Sequence, residues 1–577
     1  MHGHIPRLAL IVTVMFCTEA RAQEPPQGTA YVESAKVAAR VYYDAPYKAT
    51  AEAAVTAIEK LWSIQIDTMG FSVPLRLRGG KVESGFDVYF TDNLPPQALY
   101  TFNVMGDNPD TPQSDCPILG LARGAYITTP DGIEDAMGHI LSHASLQADE
   151  CLEPQLPAYD MFTIAVQQLG QTATYKWKEK LLPGFQSFPA YPLDAVGMRT
   201  DYADVYYSFG SALFPIFLDE RYGDGDGKLL VTIWRAGMQD GHVTSWNGEK
   251  RAGDVANDPD FFQAIDTVLK GRGSSFDQAF RELCVWRYLV GENDDGAHFR
   301  DGAQWTGAEV WLEGDYEVAD LPLDQVQPQY KLGPYGAAYV ALDTAGLAAG
   351  DRLVFNVTPK STAQTRWSAD VICQREGAAA TVSPLELGGG GPGSVELKQA
   401  AECSRAVLVV ANEADGSYRP AMDISQWMLV HDFRYSIKRV AGPAVTACQP
   451  GALAAGASHV PLELRGSGFV AGGELAVTLG AGVTVHAAKV SAADRLALTV
   501  SVDADAAPGP RDVTLTNGDG AQVSAKAALQ IIAADDTAPA GDDESGGCRA
   551  APENAPPRAP LLWLLAPGLL LAVLRRR

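Results

Sequence analysis

One stretch of the chain, residues 132–148, reads GIEDAMGHILSHASLQA and decides how the N-terminal part is interpreted. Thr129-Pro130-Asp131 directly before it is a turn and helix-start signal, so we predict a helix from Gly132 to Ala148. His139 and His143 are four residues apart, which puts both imidazoles on one helix face, where they could hold one metal ion. With 9 histidines in 577 residues, two structural histidines at this spacing are the alternative.

The pair has the spacing of the zinc-protease motif H-E-x-x-H, but Ile140 occupies the position of the Glu. In that motif the Glu takes a proton from the zinc-bound water and passes it to the leaving amine. An isoleucine cannot move a proton. Either the pair is accidental, or this is a protease scaffold that has lost its chemistry.

The surroundings of the pair suit a metal site on a mixed α/β scaffold. We predict a helix from Ala49 to Thr68 and strands at Phe86–Phe90 and Ala125–Thr128. Asp160 lies 17 residues after His143, opens a further helical run and could supply a third ligand. The alternative role for Asp160 is an ordinary helix N-cap or surface acid.

Segments in one order resemble a family of secreted metalloproteases of myxobacteria and related bacteria, over roughly the first 320 residues. The segments are Gly70-Phe71, Asp87-Val88-Tyr89, His139/His143, Asp160, Pro192-Leu193-Asp194, Phe209–Phe214, Phe217–Glu220, Ile233-Trp234, Ala264-Ile265-Asp266, Gly273–Phe276, Phe280 and Trp286.

The resemblance implies a zincin-like α+β domain with zinc as its cofactor. His139 and His143 match the two metal histidines, and Asp160 replaces a Glu ligand with a side chain one methylene shorter. Ile140 replaces the catalytic Glu, and Phe209 stands where an aromatic residue such as Tyr is expected. The positions that depart from the family pattern are those expected to carry the chemistry, while the scaffold motifs are kept. No catalytic residue is therefore assigned.

Both ends of the sequence have features of targeting signals. Residues 1–22 read as an export signal, with Arg7 before an apolar run and Ala20-Arg21-Ala22 as the cleavage site. At the other end, residues 560–574 read PLLWLLAPGLLLAVL and precede Arg575, Arg576 and Arg577. We predict a short hydrophobic transmembrane or anchor helix there, at residues 560–577, after a disordered linker at 534–559.

The Gly-Cys548, the apolar run and the arginines also resemble the C-terminal sorting tail of exported myxobacterial proteins. That resemblance implies processing near Cys548, retention at the cell envelope or surface, and export and sorting machinery as partners. Release after processing is the alternative, and so is a plain tail anchor.

Export makes disulfides available to the remaining cysteines. Cys116 and Cys151 flank the histidine motif, and Cys373 and Cys403 lie in one strand-rich stretch. We predict these two pairs, although the sequence does not fix connectivity. Cys284 lies in an apolar helical pattern and is predicted to be a buried free thiol.

Two all-β domains are predicted after the first. Short strand-like runs at 338–342, 353–358, 367–373, 406–411 and 435–440 indicate a β-sandwich over residues 329–440. Residues 443–533 form a second domain, in which Leu464–Phe469 and Ala507–Gly520 resemble the immunoglobulin-like TIG (IPT) fold.

The sequence thus predicts a multidomain protein with an α+β zincin-like domain at 23–325, two sandwiches and a hydrophobic tail. A formal net charge of −25 without a basic stripe argues against nucleic-acid binding. The leading hypothesis is a catalytically impaired, envelope-anchored metalloprotease homologue that binds an extracellular peptide or surface protein and could still bind zinc. The first alternative is an active zinc protease using Glu134, Glu150 or Glu153 as its base. The second is a structural or adhesive surface protein.

Overall fold

The structure of the protein is a computed structural model that describes residues 24–94, 99–104, 115–149, 156–170, 181–193, 207, 209–238, 259–361, 365–387, 391–414 and 430–534. The chain divides into two compact units, with the boundary between Val440 and Ala441 and residues 348–351 counted in the second. The multidomain, mixed α and β architecture predicted from the sequence is confirmed at this level.

The first unit begins with a five-stranded sheet in the order β1-β2-β5-β7-β6. Strands β2, β5 and β7 are parallel, and the two edge strands β1 and β6 run antiparallel to their neighbours. Strands β3 and β4 form a separate hairpin. The strands of this part are β1 (Ala30–Glu33), β2 (Ala39–Tyr43), β3 (Leu75–Arg78), β4 (Lys81–Ser84), β5 (Phe86–Phe90), β6 (Tyr100–Val104) and β7 (Ile118–Ala122).

Helices pack on this sheet and on one another. They are α1 (Lys48–Trp62), α2 (Pro130–Gln147), α3 (Leu156–Gly170), α4 (Leu182–Gln186), α5 (Leu213–Tyr222), α6 (Lys228–Ala236), α7 (Phe261–Lys270) and α8 (Phe276–Tyr288). α1 buries residues spaced by three or four, including Ala54, Ile58 and Leu61, and continues into a π-helical segment, Ser63–Thr68. The side chain of Thr129 caps α2 by accepting the Gly132 N–H, as the sequence signal predicts.

The predicted strand at Ala125–Thr128 is wrong. The strand here is β7, which ends at Ala122. The carbonyl of Arg123 accepts hydrogen bonds from the N–H groups of Tyr126 and Ile127, which turns the chain toward α2. The β-favouring residues of this segment therefore lie in a turn, because α2 begins only three residues after Ile127.

A β-sandwich completes the first unit, with one sheet in the order β13-β12-β15-β10-β8 and the other β14-β11-β16-β9. All five predicted strands are present, but the sandwich begins before residue 329, because β8 and β9 belong to it. Its strands are β8 (Gly314–Glu317), β9 (Leu323–Val326), β10 (Gly336–Asp343), β11 (Arg352–Pro359), β12 (Trp367–Arg375), β13 (Ala378–Leu385), β14 (Gly393–Leu397), β15 (Arg405–Asn412) and β16 (Phe433–Val440).

One hydrophobic core runs through the α+β part and the outer face of the sheet that contains β10, β12 and β15, while a second core fills the space between the two sheets of the sandwich. The Tyr339 hydroxyl on β10 donates to the Cys284 carbonyl on α8 at 2.9 Å. Arg281 on α8 pairs with Asp370 on β12 at 2.7 Å, and Tyr335 packs its ring against aromatic residues of α7 and α8. The two parts are therefore packed together as one body.

The cysteines of the sandwich pair as predicted. Cys373 on β12 and Cys403 before β15 form a disulfide. Cys284 is a buried free thiol, and so is Cys448. Cys116 is disulfide-bonded, and the partner predicted for it, Cys151, lies outside the described residues.

The second unit is all-β, with one sheet in the order β17-β19-β22-β21 and another β18-β24-β23-β20. Alternating residues of β19, β22 and β23 are buried, as expected for strands with one face in a core. The strands are β17 (Ala444–Gln449), β18 (Ala452–Ala454), β19 (Val460–Ser467), β20 (Ala476–Thr478), β21 (Val483–Ala492), β22 (Arg495–Val502), β23 (Gly509–Thr516) and β24 (Gln522–Ile532).

The prediction of a transmembrane helix is corrected. Among the helices that the structure describes, none is both long and apolar enough to cross a bilayer. The predicted segment, with Cys548 before it and Arg575, Arg576 and Arg577 after it, lies outside the described residues. Its apolar run is shorter than the ~20 residues that a span of the bilayer needs.

Candidate metal centre

The two histidines of α2 lie with their rings together beneath the edge of the first sheet. The Nε2 atoms of His139 and His143 are 3.0 Å apart. Both residues are buried, with 8% and 4% of their surface exposed. The predicted shared helix face is therefore present, and the two Nε2 atoms point toward one another.

Aromatic side chains line the pair. Tyr100 and Phe102, alternate residues of edge strand β6, place their ring centres 5.1 Å from His139 and 4.5 Å from His143 respectively. Phe209 approaches His139 at 6.2 Å. Phe209 therefore lies beside the pair. A phenylalanine there offers no hydroxyl to a reacting group.

Burial keeps both imidazoles neutral. It lowers the pKa of His139 from 6.5 to about 4, against the opposing effects of the Asp135 carboxylate and the hydrogen bond with Gln167. Burial and the neighbouring His139 hold the pKa of His143 well below its ordinary value. A metal ion binds the neutral imidazole, and both rings are in this charge state at pH 7.

Two further side chains orient His139. Gln167 on α3 brings its Oε1 to 3.2 Å from His139 Nδ1, and its Nε2 donates to the Asp135 carboxylate at 2.9 Å. Asp135 stands one helical turn before His139 on α2. This arrangement has the form of a ligating histidine whose second nitrogen is held by an outer hydrogen bond.

Ile140 is a core residue. Its side chain has no exposed surface, and its Cγ2 lies against Gly120 of β7 so closely that a Cβ on that glycine would come within 2.6 Å. The same Cβ would lie 3.2 Å from Val88 of β5. Position 140 thus faces the middle of the sheet, whereas the imidazoles face edge strand β6.

The donor geometry fits a zinc ion. Two imidazole nitrogens on a tetrahedral zinc, each at about 2.0–2.1 Å, are separated by about 3.3 Å, close to the 3.0 Å observed. No cluster of three or more His, Cys, Asp or Glu side chains able to hold a metal occurs among the described residues. Asp160 belongs to α3, seven residues before Gln167 and so on the same helix face, but its side chain is not among those described.

Of the three glutamates considered as an alternative base, the structure describes Glu134, and this residue is paired elsewhere. Glu134 forms an ion pair with Lys60 of α1 at 2.7 Å, and Glu150 and Glu153 lie outside the described residues. The sequence analysis missed Gln167, because nothing in its local pattern marks it. It also missed β6, although Tyr100-Thr101-Phe102-Asn103 alternates ring and polar side chains as a half-buried strand does.

One segment of the second unit is similar to a known protein family. Residues 442–528 are similar to domain III of the alpha subunit of quinohemoprotein amine dehydrogenase. That segment coincides with strands of the second unit and with the predicted TIG-like domain, and both descriptions call for β structure there. No curated protein matches the chain.

Proposed function

We propose that this chain is an exported, catalytically impaired homologue of secreted zinc metalloproteases, which binds a peptide or surface protein beside the histidine pair. The observation that carries the proposal is the pairing of a preserved two-imidazole site with a lost base. His139 and His143 retain ligand geometry, whereas position 140 is buried against the sheet. Coordination needs the imidazoles, but turnover needs a proton carrier.

The zincin-like fold is part of the proposal. It is supported by the sheet with an antiparallel edge strand and by the α2–α3 pair beneath it. His139 and His143 would hold the zinc, with Asp160 as the third ligand. A bound zinc ion would supply a Lewis acid that polarises a peptide carbonyl.

Peptide binding is supported by β6. Within the described part of the first sheet, β6 is an edge strand that is hydrogen-bonded on one side, to β7. An extended peptide could add to the other side as a further strand and lie along Tyr100 and Phe102, next to the pair. The disulfide between Cys373 and Cys403 supports an oxidising, exported location.

A protease assay of the full mature chain tests the loss of chemistry. We expect no cleavage of a fluorescent casein above background, with or without added zinc, and no difference from the His139→Ala variant. Cleavage that a chelator stops and His139→Ala abolishes would refute the proposal and favour an active enzyme with another base.

A peptide hydroxamate tests the retained site. Such a probe chelates zinc through its hydroxamate while its peptide part can align with an edge strand. We expect it to bind the zinc-loaded chain, and His139→Ala to abolish binding. Absence of both zinc and hydroxamate binding would favour the scaffold alternative, a structural or adhesive surface protein.

A further inference from the structure

The hydrogen bonds around His139 fix which of its nitrogens carries the hydrogen. Gln167 is 2% exposed, and its Nε2 lies 3.2 Å from the Asp135 backbone carbonyl and 2.9 Å from that residue's Oδ1. A carbonyl can only accept, so the amide nitrogen must be the atom that faces Asp135. The orientation of the Gln167 amide is therefore determined.

It follows that Gln167 turns its oxygen toward His139. Oε1 is 3.2 Å from His139 Nδ1, and an amide oxygen can only accept. Nδ1 must therefore carry a hydrogen and donate it. In the neutral ring this leaves the lone pair on Nε2, the atom that faces His143.

The second ring is set by the first. His143 Nε2 lies 3.0 Å from His139 Nε2. Because His139 Nε2 is an acceptor, the contact is a hydrogen bond only if His143 Nε2 is the donor. In the metal-free protein the two imidazoles thus carry their hydrogens on opposite nitrogens, His139 on Nδ1 and His143 on Nε2.

We infer that Asp135 and Gln167 are positioning residues that hold the His139 lone pair ready for a divalent zinc-like cation. On metal binding only His143 has to move its hydrogen, from Nε2 to Nδ1, so the proton count of the neutral pair does not change. This inference rests on the metal-binding part of the proposed function. Outer hydrogen bonds of this kind raise metal affinity by about 10–100-fold.

Gln167→Leu is the decisive variant, because leucine keeps the apolar bulk of the side chain and removes the acceptor. Gln168→Leu is its matched control: the same change, one position along α3, at a residue that is also buried. Within the described residues Gln168 makes no hydrogen bond to either imidazole. Asp135→Asn is a conservative variant, since its amide oxygen can still accept from Gln167.

Zinc titration of the metal-free full chain is the first readout. We expect Gln167→Leu to weaken zinc affinity about 10–100-fold, with Gln168→Leu and Asp135→Asn near the parent value and His139→Ala without specific binding. If His139→Ala abolishes binding but Gln167→Leu leaves it unchanged, the positioning role is overturned while the metal site stands.

A second readout needs no metal. Long-range proton–nitrogen spectra of the full chain labelled with ¹⁵N-histidine show which ring nitrogen is protonated, and His139→Ala assigns the signal. We expect Nδ1–H at His139 in the parent, Asp135→Asn and Gln168→Leu, and a mixture of tautomers in Gln167→Leu. If the parent binds no zinc yet shows this pattern, the metal proposal fails, but the hydrogen-bond arrangement of Asp135, Gln167 and His139 stands. An Nε2–H signal at His139 in the parent overturns the hydrogen-bond arrangement itself.

Discussion

Replacing Ile140 with glutamate restores the residue that an active H-E-x-x-H motif carries, and the fold makes it a severe test. The Ile140 side chain is fully buried and touches Gly120 on β7. A carboxyl group at position 140 would enter an apolar contact in the middle of the sheet. We therefore expect Ile140→Glu to unfold the first unit or to destabilise it strongly, before it restores any chemistry.

Three contributions set the size of the effect. Exchanging the branched apolar side chain for the thinner stem of glutamate costs about 1–2 kcal/mol. Burying a carboxyl without its water partners costs about 1–3 kcal/mol. Keeping that carboxyl protonated at pH 7, against an ordinary pKa of about 4.3, costs about 4 kcal/mol. The total of about 6–9 kcal/mol is comparable with the whole stability of a domain, about 5–15 kcal/mol.

Ile140→Gln isolates the last contribution, because the amide has a similar shape and does not ionise. At pH 7 we expect Ile140→Glu to be less stable than Ile140→Gln by about 4 kcal/mol. A folded-state pKa above the unfolded value means that the folded form binds more protons, so stability falls as the pH rises above about 4.3. The difference between the two variants should accordingly vanish near pH 4–5.

Urea unfolding followed by tryptophan fluorescence measures this, because nine of the ten tryptophans precede Ala441 and Trp563 alone follows it, so the signal reports mainly the first unit. Ile140→Val is the mild control, with an expected loss of about 0.5–1.5 kcal/mol. If Ile140→Glu proves as stable as Ile140→Gln at pH 7, the carboxylate is ionised in water. Position 140 would then open into a solvated cleft, and the burial argument would be wrong.

Three more measurements follow from the described contacts. The pKa of His139 is lowered from 6.5 to about 4, so this residue should reduce the free energy of unfolding of the metal-free chain by about 2 kcal/mol between pH 7 and pH 5, because the unfolded histidine takes up the proton first. A His139→Gln variant should lack this contribution to the pH dependence of stability. The same pH dependence in the parent and the variant would contradict the burial of a neutral ring. The Cys373–Cys403 disulfide closes 30 residues, so replacing both cysteines with alanine should cost about 3–4 kcal/mol in urea unfolding, and unchanged midpoints would count against this. Burial raises the pKa of the Cys284 thiol, so a thiol reagent should modify it only as the protein unfolds, and rapid labelling of the native chain would show that α8 is open.

The sequence could predict the histidine pair because its information is local. Four-residue spacing on a helix puts His139 and His143 on one face wherever that helix lies, and the sequence shows Ile140 at the position that is Glu in H-E-x-x-H. The environment of the pair is not local. Gln167 is 28 residues beyond His139 and reaches it only because α3 packs on α2, so no pattern within either helix could predict that contact.

The errors in the predicted strands also have physical causes. Ala125–Thr128 favours a strand by composition, but the turn at Arg123 and the cap at Thr129 leave no room for one. The strands β8 and β9, with sequences GDYE and LDQV, lack the apolar alternation that marked the other strands of the sandwich. Their place in the sheets depends on pairing with β10 and β16, which is a tertiary contact.

The core shared by α8 and the outer face of the sheet that contains β10, β12 and β15 has a consequence for how this protein can be cut. A fragment ending near residue 325 would expose Tyr335's aromatic partners and strip the apolar cover that β10 and β15 supply. Such a fragment should aggregate, whereas one ending at Val440 keeps the core whole. The inheritable building block is thus the α+β part together with its sandwich. A gene fusion that moves the histidine pair to a new protein has to carry both.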